Sequence, residues 1–132
     1  MQGGSGQMEK KHQILVVDDS KETVEGLKNF LSRNYMIYTA FNGLEALKVF
    51  ERKKTALDLV ITDLVMPDIG GVALISMIRA KSPTTPIIAI TGWGPHPSAL
   101  AAEAKADTVL NKPFDLEELD KSISKLLPAK TF

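Results

Sequence analysis

Four short apolar runs in this chain each end on polar residues of a kind suited to phosphoryl chemistry. Ile14-Leu15-Val16-Val17 runs into Asp18-Asp19, and Leu59-Val60-Ile61-Thr62 runs into Asp63. Ile87-Ile88-Ala89-Ile90 runs into Thr91, and Thr108-Val109-Leu110 leads to Lys112-Pro113. If the runs are parallel neighbours in one sheet, three carboxylates, a hydroxyl and an amine converge at its carboxyl edge, where open α/β sheets bind ligands. Two carboxylates at ~4 Å repel by roughly 4 kcal/mol at an effective dielectric near 20. Three together therefore call for a cation. Lys112 offsets one charge and a divalent metal offsets more. An oxygen-only donor set, with no His or Cys nearby, favours Mg²⁺ or Mn²⁺ over Zn²⁺. A carboxylate can attack phosphorus to form an aspartyl phosphate. Mg²⁺ and Lys112 would neutralise the incoming oxygens, and the Thr91 hydroxyl would donate to one of them. Asp63 is the best candidate nucleophile, because its run has the character of a central strand.

The elements that must position these residues follow from the pattern of the chain. Leu59–Ile61 is wholly apolar and rich in β-branched residues, as a strand buried on both faces is. Pro67 and Gly70-Gly71 then turn the chain out of the sheet. After the first strand, Ser20 is a good N-cap for a helix with Val24, Leu27, Phe30 and Leu31 on its buried stripe. Met36–Ala40 is expected as a second strand, with Ile37 and Tyr38 favouring β structure. Asn42-Gly43 turns into a second helix, in which Leu44, Leu47 and Phe50 mark the buried side. The basic run Arg52-Lys53-Lys54 suits that helix's carboxyl end. Val72, Leu74, Ile75 and Ile78 give a third helix. A loop at Gly92–His96 leads to an Ala-rich fourth helix running from about Pro97 to Ala104. Asp115 and Glu118 are expected to form a capping box for a fifth helix. That helix carries Leu116, Leu119, Ile123, Leu126 and Leu127, and Pro128 ends it. Five β-α units in alternation imply a doubly wound α/β fold, a parallel sheet covered by helices on both faces.

The bulk properties narrow the function classes. A chain of 132 residues suits one domain. Sixteen basic and sixteen acidic side chains cancel, so bulk charge gives no support for nucleic-acid or anionic-membrane binding. The absence of cysteine excludes disulfides, thiol catalysis and thiolate metal sites. No apolar run is long enough to span a bilayer and no signal peptide is visible, which makes a cytoplasmic location the expectation. The domain is expected over residues 13–128. Residues 1–12 are expected to form a flexible tail, Gly- and Ser-rich over the first seven, which resemble an expression scar, and charged from Glu9 to His12, and residues 129–132 a C-terminal tail.

Taken together, these motifs resemble the response-regulator receiver domain of bacterial two-component signalling. The carriers are Val17-Asp18-Asp19, Asp63 with Met66-Pro67 and Gly71, Thr91-Gly92, and Lys112-Pro113-Phe114, in the right order and spacing over roughly residues 13–127. Each motif is weak alone; in one register they are specific. The resemblance implies a flavodoxin-like (βα)₅ fold with strand order 2-1-3-4-5. It implies that Asp63 accepts a phosphoryl group from a phosphohistidine on a sensor histidine kinase or a histidine phosphotransfer protein. It also implies that Asp19, Asp63 and the Val65 carbonyl ligate Mg²⁺ directly, Asp18 acts through a metal-bound water, and Thr91 and Lys112 contact the phosphoryl oxygens. A cis peptide bond before Pro113 belongs to the same pattern. The domain would be a signalling switch rather than an enzyme. It would catalyse only its own phosphorylation and dephosphorylation, and act through an unidentified downstream protein. Homodimers through the fourth helix, fifth strand and fifth helix are common in the family.

One position departs from the family pattern. The switch residue three positions before the lysine is usually Tyr or Phe and is here Val109, so Thr91 would move without a coupled aromatic rotation. Trp93, bulky and two residues past Thr91, is expected to restrict attacking water. Two alternatives carry less of the sequence. A degenerate receiver that only scaffolds a partner usually lacks the acceptor or the lysine, and both are present. A haloacid-dehalogenase-type phosphatase places Asp-x-Asp after its first strand, whereas Asp18 and Asp19 are adjacent. Clustering of three acids also predicts that Asp18→Asn raises the melting temperature in metal-free buffer, by relieving repulsion.

Overall fold

A computed structural model of the chain describes residues 11–53, 56–92 and 105–127. Among these residues there are five strands, β1 (Gln13–Val17), β2 (Met36–Ala40), β3 (Leu59–Asp63), β4 (Ile87–Thr91) and β5 (Thr108–Asn111). Four helices accompany them: α1 (Lys21–Leu31), α2 (Gly43–Lys53), α3 (Gly71–Lys81) and α4 (Leu116–Leu126). The helix α4 is the fifth of those expected from the sequence. The expected fourth helix, Trp93, the N-terminal tail as far as Lys10 and the residues from Pro128 onward lie outside the described residues.

The strands form one sheet in the order β2-β1-β3-β4-β5, every adjacent pair parallel. This is the doubly wound α/β arrangement implied by the sequence. Alternation along each strand sorts its side chains onto two faces. Leu15, Val17, Val60, Ile87 and Ala89 pack with Val49 and Phe50 of α2 and Leu74, Ile75 and Ile78 of α3. Ile14, Val16, Ile61, Ile88 and Ile90 pack with Leu27 and Leu31 of α1 and Leu119 and Ile123 of α4. Every residue of β3 and β4 is buried, which explains their unbroken apolar character. Register is thereby fixed, because a slip of one residue would exchange the two faces. It pairs Val17 with Thr62, Asp63 with Ile90 and Thr91 with Asn111, so the strands finish level at one edge.

Helix starts are where local chemistry matters most. Ser20 caps α1, its Oγ accepting from the Thr23 N–H at 3.2 Å. The expected capping box at α4 does not form: Asp115 occupies the N-cap position but its side chain makes no capping hydrogen bond. A reciprocal cap occurs at α2 instead. There the Glu45 N–H donates to Asn42 Oδ1 at 2.8 Å, and Glu45 Oε1 accepts from the Phe41 N–H at 2.7 Å. The buried face of α2 also differs from expectation. Leu44 is 56% exposed and Leu47 half-buried, while Gly43, Ala46, Val49 and Phe50 face the core. Close approach of Gly43 to Ile69 sets the helix rotation; a Cβ there would lie 2.8 Å from the Ile69 carbonyl oxygen. Gly and Ala carry little hydrophobic signal, so the larger leucines one step round the helix dominated the pattern. Leu116 of α4 likewise stays exposed. Among the described residues, no helix is long and apolar enough to cross a membrane.

Candidate functional site

The level strand ends bring the polar residues together. Asp18 and Asp19 follow β1 directly, Asp63 and Thr91 are the last residues of β3 and β4, and Lys112 follows β5. Asp18, Asp19 and Asp63 each offer a carboxylate oxygen, and these three atoms lie within 4.8 Å of one another. Asp18 and Asp63 are buried and Asp19 is exposed, so the cluster opens to solvent on one side. Lys112 Nζ lies 3.5 Å from Asp18 Oδ2 and 3.5 Å from Asp63 Oδ2.

Each side chain is held by its own local device. Asp18 Oδ1 accepts from the Ser20 N–H at 2.9 Å, so the turn that caps α1 also orients the acid. Asp63 Oδ1 accepts from the Val65 N–H at 3.3 Å, a short-range aspartate turn that the sheet end allows. The Val65 side chain is 50% exposed. The Lys112 N–H donates to the Thr91 carbonyl at 2.7 Å, and the Lys112–Pro113 bond is cis, as the resemblance implied. Among the described residues, Thr91 Oγ1 is buried with no hydrogen-bond partner. An orphaned buried hydroxyl calls for an explanation, and an acceptor arriving from outside the chain supplies one. Val109 pairs with Ala89 in the ladder and packs into the core on the α2 and α3 side. It therefore shares a sheet face with Thr91, two residues along β4 from Ala89.

The electrostatics of the cluster are unbalanced. Burial pushes the Asp63 carboxyl above the ordinary aspartate range, and the Asp18 charge pushes it further. Lys112 and the Val65 N–H pull in the other direction without cancelling this. Three acids around one lysine leave a net negative site made only of oxygen donors. That donor set fits a hard divalent cation such as Mg²⁺, which takes one or two carboxylates and retains open positions. The same oxygen donors suit Mn²⁺, and nothing in the arrangement selects it over Mg²⁺.

Apart from Trp93, every residue expected at the site from the sequence is within the described part of the chain, and the structure gathers the three acids into one cluster with Lys112 against Asp18 and Asp63. Two contributors were not assigned a part in the site. The Ser20 backbone, which holds Asp18, was seen only as a helix cap. Gly71, seen as a turn former and motif residue, has a backbone so close to Asp63 that an added Cβ would stand 2.9 Å from the Asp63 carbonyl carbon. An Asp two residues before a capping Ser is the signal that could have found the first; the second required tertiary contact.

Comparison with known proteins gives the same architecture. The profile described as the response regulator receiver domain matches residues 14–124. The chain is 32% identical over 116 residues to the sensor kinase CckA of Brucella abortus, covering 86% of this chain and 12% of that protein. It is 36% identical over 121 residues to the transcriptional regulatory protein GlrR of Escherichia coli, covering 89% of this chain and 27% of that protein. The chain thus spans a small part of each of these relatives. Among solved structures, the response regulator TrrA of Thermotoga maritima, crystallised in complex with Mg²⁺ and BeF, matches with a TM-score of 0.78 and 41% identity. That match covers 88% of this chain and 99% of the other. With the matched profile spanning most of the residues, and the acids, hydroxyl and lysine standing at the strand ends, the chain belongs to the response regulator receiver domain family.

Proposed function

We propose that this chain is a phosphoacceptor receiver in which Asp63 takes a phosphoryl group from a phosphohistidine of a partner protein. The observation that carries this is the position of Lys112 Nζ, 3.5 Å from both Asp63 and Asp18 at the mouth of an oxygen-only acid cluster. In the transfer, an Asp63 carboxylate oxygen forms the new O–P bond as the N–P bond to the donor imidazole breaks. The bonding pair leaves with the imidazole nitrogen, and because the other ring nitrogen carries a proton the group that leaves is a neutral imidazole. Lys112, already between two carboxylates, is placed to neutralise a phosphoryl oxygen on the Asp63 side. Thr91 Oγ1 supplies a donor with no competing partner among the described residues. Asp18, Asp19, Asp63 and the Val65 carbonyl would hold Mg²⁺, and the bound cation supplies charge neutralisation at the phosphoryl oxygens. Val109, on the Thr91 face, leaves the switch to motion of Thr91 itself. We take residues 13–128 as the functional unit. A sensor histidine kinase or histidine phosphotransfer protein is the donor, in keeping with a sensor kinase and a transcriptional regulator among the relatives.

Intact-protein mass after incubation with acetyl phosphate and Mg²⁺ tests the proposal. One added phosphoryl group, absent when the metal is chelated, is the expected result. A wild-type chain that gains no mass, with acetyl phosphate or with a purified phosphohistidine donor protein, would overturn it.

A further inference from the structure

Gly92 follows Thr91 at the end of β4, and its backbone lies outside the left-handed region. Any residue could therefore adopt this conformation, and glycine is not needed for the turn. What the position lacks is room. A Cβ at residue 92 would lie 3.1 Å from Lys112 Cδ, 3.3 Å from Cβ and 3.5 Å from Cγ. The missing side chain is thus replaced by the stem of Lys112, which lies across Gly92 on its way to the acids. The lysine backbone is fixed to the same strand end by the Lys112 N–H to Thr91 carbonyl bond. Its ammonium, at the other end of the stem, sits between Asp18 and Asp63. Lysine carries four rotatable carbons and a point charge, and holding that charge in one place needs a surface for the stem.

We propose that Gly92 is a positioning residue for Lys112: its bare backbone is the platform that aims the ammonium at Asp63. The inference rests on the phosphoacceptor reading of the site and adds a determinant of its rate. A methyl group at 92 asks the stem to move by a few tenths of an ångström, and a branched side chain asks for more. Rotation of the stem relieves the Cδ contact at little cost to the fold, while the 3.3 Å contact with Lys112 Cβ, which is fixed to the backbone, asks the two segments to part by a few tenths of an ångström. Replacing Gly where the backbone tolerates another residue also restricts the unfolded chain. Phosphorylation rate and folding stability should therefore move independently.

A double-mutant cycle reads this directly. Initial rates of phosphorylation by acetyl phosphate with Mg²⁺ are measured for wild type, Gly92→Ala and Gly92→Val, each with Lys112 and with Lys112→Ala. Urea unfolding midpoints are measured beside them, with beryllofluoride-dependent thermal shifts as a second index of site assembly. With Lys112 present, Gly92→Val is expected to slow phosphorylation roughly tenfold and Gly92→Ala two- to threefold. With Lys112→Ala, both are expected to change the remaining rate, or the beryllofluoride shift, by less than about twofold. The Gly92→Ala unfolding midpoint is expected close to that of wild type, the tight Lys112 Cβ contact offsetting the restriction of the unfolded chain. Equal losses in both backgrounds would show that residue 92 acts by blocking access, and unchanged rates would show that it does not act; either overturns the inference alone. A wild-type chain that takes no phosphoryl group overturns the phosphoacceptor reading and this inference with it.

Discussion

Asp63→Asn is expected to abolish phosphoryl acceptance while making the metal-free protein more stable. Loss of acceptance follows from chemistry, since the amide is not a nucleophile toward phosphorus. The gain in stability follows from the site. Asp63 is buried beside the Asp18 carboxylate, and both facts raise its pKa despite Lys112. A carboxyl whose folded pKa is raised favours the folded state while protonated. That contribution is lost as pH climbs from the ordinary aspartate range through the raised value. Near neutral pH, wild type therefore carries an unfavourable ionised Asp63 that the asparagine removes. The expected gain is roughly 1 kcal/mol, the scale of a relieved like-charge contact partly compensated by a cation. Urea titrations of both proteins at several pH values, in buffer with chelator, check this. The difference should be small in acid, grow as pH rises past the ordinary aspartate range, and then level off. Mg²⁺ should reverse the order by stabilising wild type more, by about 2.7 kcal/mol at a hundredfold excess over its Kd. A difference independent of pH would argue against an ionised, buried Asp63. Asp18→Asn should act in the same direction, because the asparagine oxygen keeps the bond from the Ser20 N–H.

Gly71→Ala is expected to be the most damaging of the small substitutions in this domain. Gly71 begins α3, and its N–H donates to the Leu64 carbonyl at 3.0 Å, tying the helix start to the end of β3. A Cβ would overlap the Asp63 carbonyl oxygen and would stand 2.5 Å from Leu64 Cα. These are backbone atoms of the last residue of the central strand and of the residue after it, and cannot rotate away. Relief requires α3 to move off the sheet, taking Leu74, Ile75 and Ile78 from the core they fill. Overpacking usually costs 1–3 kcal/mol, and a rigid backbone contact belongs at or above the upper end, so a loss of about 3 kcal/mol or more is expected. Against a typical stability of about 5–15 kcal/mol, that is a large share. Gly26→Ala is the matched control. Gly26 lies on the exposed side of α1 with nothing near its Cβ position. That change should stabilise by about 0.5–1 kcal/mol through helix propensity. If both glycines respond alike to urea denaturation, the close approach at Gly71 is not what the geometry indicates. The variant should also weaken Mg²⁺ binding, because the displaced backbone carries Asp63.

Much of this protein was determined by the order of residues alone. Strands buried on both faces, such as β3 and β4, must be apolar throughout, so their sequences announce them. Each ends on a polar residue because the chain leaves the core there, and parallel strands put such ends on one side. Asp18, Asp19, Asp63, Thr91 and Lys112 were legible for that reason. The Ser20 cap was legible because its hydrogen bond is local.

Tertiary structure decided what depends on atoms far apart in the chain. The rotation of α2, with Leu44 outward and Gly43 inward, came from contact with Ile69, which no helical period encodes. Asp115 shows the same limit from the other side, because a good capping residue does not cap unless its side chain is turned toward the free N–H groups. The stem of Lys112 over Gly92 and the backbone of Asp63 against Gly71 join segments that the sequence keeps far apart or on opposite sides of a turn. A glycine reads in sequence as freedom of the backbone. At both of these positions it serves as an absence of volume, and only the neighbours brought there by the fold reveal it.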